Sequence, residues 1–210
     1  MTAVLFDLDG TLWDACEVVT DSWNRTIASS PLGGRVLTLA EVRGIMGMQL
    51  QPIAARFFPD AEEALRMRVM QQCCDDECAV LRERGGRLYP GVPETLRQLA
   101  GDHFLAVVSN CQCGYIEAFL EAHGLADCFR DTICEGDTGR SKAENIRLLM
   151  RRNGLETAVY VGDTAGDEEA ARLAEVPFIH AAYGFGTAAE PAAVLREFPS
   201  LASLLGKVVG

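Results

Sequence analysis

Residues 3–11 read Ala3-Val4-Leu5-Phe6-Asp7-Leu8-Asp9-Gly10-Thr11, four apolar residues running straight into two carboxylates, a glycine and a hydroxyl. A short, uninterrupted apolar run that stops at a polar loop is the pattern of a strand buried on both faces. The pattern recurs downstream. Phe104 to Val108 ends in Ser109-Asn110, Thr132-Ile133-Cys134 in Glu135-Gly136-Asp137, and Ala158 to Val161 in Gly162-Asp163-Thr164, with Pro177 to Ala181 as a fifth run. Helix-period segments lie between them at Pro93 to Leu99, Tyr115 to His123, Lys142 to Asn153 and Asp167 to Ala174. Strands alternating with helices of this length imply parallel βαβ units, so the fold class is α/β with a Rossmann-like parallel sheet covered on both faces.

The stretch from Trp13 to Gly86 breaks that alternation and reads as helices only: Ala15 to Ser29, Leu39 to Met46, Leu50 to Phe57 and a long segment from Ala61. It stands between the first strand and the next core helix and is therefore expected as an insertion. The pattern predicts an α/β core from residues 1–13 and 87–210, with an all-helical cap at 14–86 that can hinge where the chain crosses twice.

Composition narrows the function. Nineteen Lys and Arg against 30 Asp and Glu give a net charge of −11 over 210 residues. Phosphate-backbone binding needs clustered basic residues, so no nucleic-acid partner is expected. Membrane attachment is disfavoured on the same charge argument. No apolar stretch reaches the length of a membrane span, and the chain arrives at Asp7 and Asp9 without the cationic start and apolar core of an export signal, which predicts a cytoplasmic protein. Eight cysteines without regular spacing read as reduced thiols. Cys73, Cys74 and Cys78 fall on helical spacing beside Val69, Met70 and Leu81, the pattern of small apolar core residues and not of a metal knuckle. His103, His123 and His180 follow no ligand spacing.

In an open parallel sheet, ligands collect at the carboxyl ends of the strands. Those ends carry Asp7 and Asp9, Ser109, Lys142 and, after the fourth run, Asp163 with Asp167. Four carboxylates at close quarters cannot all ionise without a cation, and an all-oxygen set favours magnesium.

The ordered set Asp7-Leu8-Asp9-Gly10-Thr11, Val108-Ser109-Asn110, Ser141-Lys142 and Gly162-Asp163-Thr164-Ala165-Gly166-Asp167 resembles the phosphatase branch of the haloacid dehalogenase-like superfamily, over the whole chain. The resemblance implies Asp7 as the nucleophile that takes up the phosphoryl group and Asp9 as general acid and base. It implies Thr11, Ser109 and Lys142 as phosphate-holding groups, assisted by backbone N–H groups near Gly10 and Asn110. Magnesium would be held by Asp7, the backbone carbonyl of Asp9 and Asp163, with Asp167 either a ligand or a partner behind them.

Asp9 argues against the dehalogenases of this superfamily, which do not need that residue. Phosphonate cleavage in a related branch uses a cap lysine, and no lysine precedes Lys142. A sugar-phosphate mutase and a non-catalytic phosphate-binding regulator stay open as alternatives. Trp13, Gly47-Met48, Tyr89-Pro90-Gly91-Val92 and Ser109-Asn110-Cys111-Gln112 resemble the phosphoglycolate phosphatase-like members, which implies a small phosphorylated metabolite as substrate, handled by a monomer or homodimer. Arg43, between two short cap helices, reads either as a group that binds a second anion of the substrate or as a surface arginine. Cys111, near a helix start, reads either as a reactive thiol or as an inert core residue.

Overall fold

The computed structural model describes residues 2–208; residues 1, 209 and 210, the outer ends of the expected core segments, lie outside the described residues. In chain order the elements are β1 (Ala3–Phe6), β2 (Trp13–Asp14), α1 (Cys16–Ala28), α2 (Leu39–Arg43), α3 (Leu50–Phe57), α4 (Glu63–Arg84), β3 (Arg87–Leu88), α5 (Val92–Leu99), β4 (Phe104–Ser109), α6 (Tyr115–His123), β5 (Asp131–Cys134), α7 (Glu135–Thr138), α8 (Lys142–Arg152), β6 (Ala158–Gly162), α9 (Ala165–Ala174), β7 (Phe178–Ala181), β8 (Ala193–Leu195) and α10 (Leu201–Val208).

Six strands form one parallel sheet in the order β5-β4-β1-β6-β7-β8. β1 sits between β4 and β6 and is buried along its whole length, which is why its sequence shows no polar alternation. The alternation is instead between two apolar cores. Val4 and Phe6 face one, with Val107 and Val161; Ala3 and Leu5 face the other, with Ile146 and Leu149 of α8 and Ala171 of α9. Strand order reverses beside β1, so the polar loops after β1, β4 and β6 open side by side.

The helices α1 to α4 lie between β2 and β3, which pair antiparallel at Trp13↔Leu88 and Asp14↔Arg87. Both crossings of the chain are thus joined in one short ribbon. Within the helical segment α1 packs along α4, and α4 also packs on α6 of the α/β body. The inner face of α4 carries Val69, Met70, Cys73, Cys74, Glu77, Cys78 and Leu81, all buried at helical spacing. Among the described residues, no helix is long and apolar enough to cross a membrane.

Candidate active site

After Phe6 the chain makes a tight turn, with Leu12 N–H donating to the Leu8 carbonyl at 2.9 Å. Gly10 takes a positive φ of 79°, and a Cβ there would lie 2.2 Å from Asp163 Oδ2, so only glycine lets the β1 and β6 loops close on one another. This turn buries both Asp7 and Asp9.

Lys142, buried at the start of α8, places Nζ 2.8 Å from Asp7 Oδ1 and 2.5 Å from Asp167 Oδ1. Burial opposes its charge, but Asp167 and Asp7 outweigh burial and hold the ammonium well above the usual lysine range. Asp167 is fully committed. Its second oxygen accepts from Asp163 N–H at 3.2 Å, Thr164 N–H at 3.0 Å and the Thr164 hydroxyl at 2.7 Å. These bonds tie the first turn of α9 to Lys142, and they put Asp167 behind the site rather than in it.

Asp163 differs. Oδ2 accepts from Phe185 N–H at 2.6 Å, whereas Oδ1 is buried and, among the described residues, has no hydrogen-bond partner. Carboxylate oxygens of Asp7, Asp163 and Asp167 lie within 4.8 Å of one another. Burial and then Asp167 push Asp7 up to about 7 against the pull of Lys142. Asp163 also rises to about 7, from burial and Asp167. A buried carboxylate oxygen left open beside two further carboxylates fits a hard divalent cation, which would satisfy it and favour the ionised forms of Asp7 and Asp163.

Asp9 has another environment. It accepts from the hydroxyl of Tyr115 at 2.9 Å, and burial followed by Asp7 pushes it up to about 7. Two neighbouring carboxyl groups thus stand in distinct surroundings, one against an ammonium and one against a phenol. Such a division suits separate tasks in one reaction.

Asp7, Asp9, Ser109 and Asn110 line a cavity of about 140 Å³, closed from the helical segment by Trp23, Ile45 to Met48, and Glu77. Asn110 Nδ2 donates to the Gly47 carbonyl at 2.9 Å and so pins that loop over the opening. Glu77 is buried, its Oε1 accepts from Gln112, and burial pushes it up to about 8.

Three expected site residues sit elsewhere or act differently. Gly10 N–H is already bonded to the Trp13 carbonyl at 2.9 Å, which removes it as a phosphate donor. Thr11 is fully buried and outside the cavity wall, because the turn folds it inward. Arg43 does not enter the cavity. Its guanidinium lies 3.3 Å from Asp14, which Arg87 also approaches at 3.2 Å, in a separate groove beside the ribbon. The half-buried Cys111 thiol lines the cavity and is pushed well up by burial and by Cys134, which works against the thiolate that a reactive reading needs.

Tyr115 and Glu77 were not legible as site residues. Tyr115 read as the first residue of an ordinary core helix. Glu77 interrupts the apolar stripe of α4 with a carboxylate, and that interruption was the available signal.

A family model described as haloacid dehalogenase-like hydrolase matches residues 4–181, and the chain belongs to that family. Among curated proteins it is 32% identical to a phosphoglycolate phosphatase of Rhodospirillum rubrum, covering 97% of this chain and 90% of the relative. It is 30% identical to a plasmid-encoded phosphoglycolate phosphatase of Cupriavidus necator, covering 92% and 86%. A haloacid dehalogenase-like hydrolase of Streptococcus pneumoniae superposes with a TM-score of 0.84 at 20% identity over 98% of both chains. CbbY of Rhodobacter sphaeroides, solved as a mutant in complex with xylulose 1,5-bisphosphate, gives 0.82 at 22% identity over 96% of both chains, and these two similarities carry the fold alone.

Proposed function

We propose that the chain is a magnesium-dependent phosphatase that hydrolyses a small phosphomonoester through a phosphoryl group carried on Asp7. The observation that carries this reading is the pairing of Asp7 with Lys142 near the unpartnered Asp163 Oδ1, with Asp7 itself lining a cavity. Similarity to phosphoglycolate phosphatases supports the same reaction class.

Asp7 attacks phosphorus, forming an aspartyl-phosphate as the ester bond breaks. Asp9, protonated near neutral pH because it is raised to about 7, gives its proton to the departing alkoxide. The resulting Asp9 carboxylate then takes a proton from a water that attacks the aspartyl-phosphate, which releases phosphate and restores Asp7. The Tyr115 hydroxyl orients Asp9 through both steps. Lys142 has three donors, two of them on carboxylates, and draws Asp7 toward the ionised form that attacks. Ser109, which lines the cavity at the end of β4, holds the transferring phosphoryl oxygens with the backbone N–H of Asn110. Asp7 and Asp163, with the backbone carbonyl of Asp9, would hold magnesium, whose charge would neutralise the carboxylates and the phosphoryl group.

The α/β body of residues 1–13 and 87–210 would carry the chemistry while the helical segment 14–86 acts as a cap, with cytoplasmic small phosphorylated metabolites as substrates. Purified protein with magnesium should release phosphate from p-nitrophenyl phosphate and from small alkyl phosphates, and removal of the metal by a chelator should stop it. A folded protein inert toward both classes of ester contradicts the proposal.

A further inference from the structure

Three buried polar side-chain atoms belong to the cavity wall and have no part in the phosphatase chemistry. Glu77 Oε2, Trp23 Nε1 and Asn110 Oδ1 are all buried, all belong to residues lining the cavity, and among the described residues none has a hydrogen-bond partner. Unpaired buried polar groups destabilise a fold, so three on the wall of one cavity indicate a ligand that satisfies them. Their orientations are fixed by neighbours on the cavity wall. Gln112 donates to Glu77 Oε1, leaving Oε2 open, and Asn110 Nδ2 is committed to the Gly47 carbonyl, leaving Oδ1 open. The Trp23 indole N–H stands close enough to offset part of the burial effect on Glu77 without reaching hydrogen-bond geometry.

No Lys, Arg or His lines this cavity among the described residues, and the arginine expected there is held by Asp14. A carboxylate on the leaving group would therefore enter a space with no cation, facing an amide oxygen that can only accept. Burying an unpaired anion in that way is costly. A hydroxyl suits these groups. It accepts from Trp23 Nε1–H and has one proton to give, to Glu77 Oε2 where that carboxyl is ionised, or to Asn110 Oδ1 where Glu77 is protonated and itself donates.

Resting on the phosphatase reading, we infer that Glu77, Trp23 and Asn110 form a subsite for an uncharged, hydroxyl-bearing leaving group, so that this enzyme takes small polyol or hydroxyalkyl phosphates in preference to phosphocarboxylates. The cavity of about 140 Å³ suits a leaving group of only a few heavy atoms.

The test compares a matched pair, 2-hydroxyethyl phosphate and 2-phosphoglycolate, with p-nitrophenyl phosphate as a substrate carrying neither group. With magnesium present, kcat/KM of the wild-type protein should favour 2-hydroxyethyl phosphate by at least about tenfold, the scale of a modest desolvation difference. In Glu77→Gln the amide oxygen must take the Gln112 bond, which presents an N–H donor to the cavity in place of Oε2. That variant should lower the preference about tenfold. Equal or better use of phosphoglycolate by the wild type, or an unchanged ratio in Glu77→Gln, overturns the subsite. If p-nitrophenyl phosphate is turned over while phosphoglycolate is preferred, the subsite fails and the phosphatase stands. If none of the three esters is hydrolysed, both fail together.

Discussion

Lys142 reaches Asp7 across 135 residues of sequence and sets its Nζ 2.8 Å from Oδ1, deep in the protein. The same ammonium holds Asp167 at 2.5 Å, so a single cation is shared by two buried carboxylates. Removing one partner of a buried ion pair leaves the other charge uncompensated. Lys142→Ala should therefore cost roughly 3–5 kcal/mol of stability and lower turnover by at least about a hundredfold, because Asp7 then protonates instead of attacking. Chemical denaturation and phosphate release measured on the same preparation test this; near-normal turnover contradicts the role given to Lys142.

Protonation of the carboxyl cluster makes stability depend on pH in a definite direction. Asp7, Asp9 and Asp163 rise from an ordinary 3.8 to about 7 in the folded protein without metal. Between those values the folded state keeps protons that the unfolded chain has lost, so this contribution is whole below about pH 4 and falls as pH rises through 7. Magnesium binds the ionised form and offsets the loss. Melting temperature should thus rise with added magnesium more at about pH 8 than at about pH 5, and the gain should shrink in Asp163→Asn. An equal magnesium effect at both pH values speaks against a carboxylate site.

Gly10→Ala probes the same cluster through geometry. An added methyl would meet Asp163 Oδ2 at 2.2 Å and force a side chain into a φ of 79°. The variant should lose both turnover and the magnesium-dependent rise in melting temperature, while circular dichroism shows the helices retained. Full activity would mean that the Asp163 carboxylate need not stand where it does.

Arg43 pairs with Asp14 at the ribbon rather than with anything in the cavity. Asp14 is held below the usual carboxylate range, where the Cys16 N–H, Arg43 and Arg87 outweigh its burial. The guanidinium is 43% exposed, so the pair contributes at most about 1 kcal/mol. Arg43→Ala should change kcat/KM for charged and uncharged substrates by the same factor. A selective loss for anionic substrates restores Arg43 as a recognition residue.

Much of this arrangement was legible because parallel strands buried on both faces leave continuous apolar runs. Three of those runs, β1, β4 and β6, end in residues of the site around Asp7. The strands that escaped notice are short: Trp13–Asp14, Arg87–Leu88 and Ala193–Leu195 have too few residues to show any period. Arg43 was misplaced because its position between two short helices says nothing of Asp14, which lies 29 residues away. The Gly10 N–H, expected near the phosphate, is bonded to the Trp13 carbonyl, since a turn's internal bonds cannot be read from its composition. Glu77 was hidden inside an apolar helical stripe, where periodicity registers position and not chemistry.

The central claim is that Asp7 carries the phosphoryl group during turnover, and it can be tested by trapping. The protein is mixed briefly with magnesium and excess substrate and quenched in acid, and the peptide containing Asp7 is analysed by mass spectrometry. Asp9→Asn, which slows release of the phosphoryl group by removing the base, should increase the trapped fraction for an aryl phosphate whose leaving group needs no proton. The expected result is a phosphoryl-sized mass increase on Asp7 that is labile to hydroxylamine and missing in Asp7→Asn. Sustained turnover in a folded Asp7→Asn protein, or a phosphoryl group trapped on another residue, would contradict it.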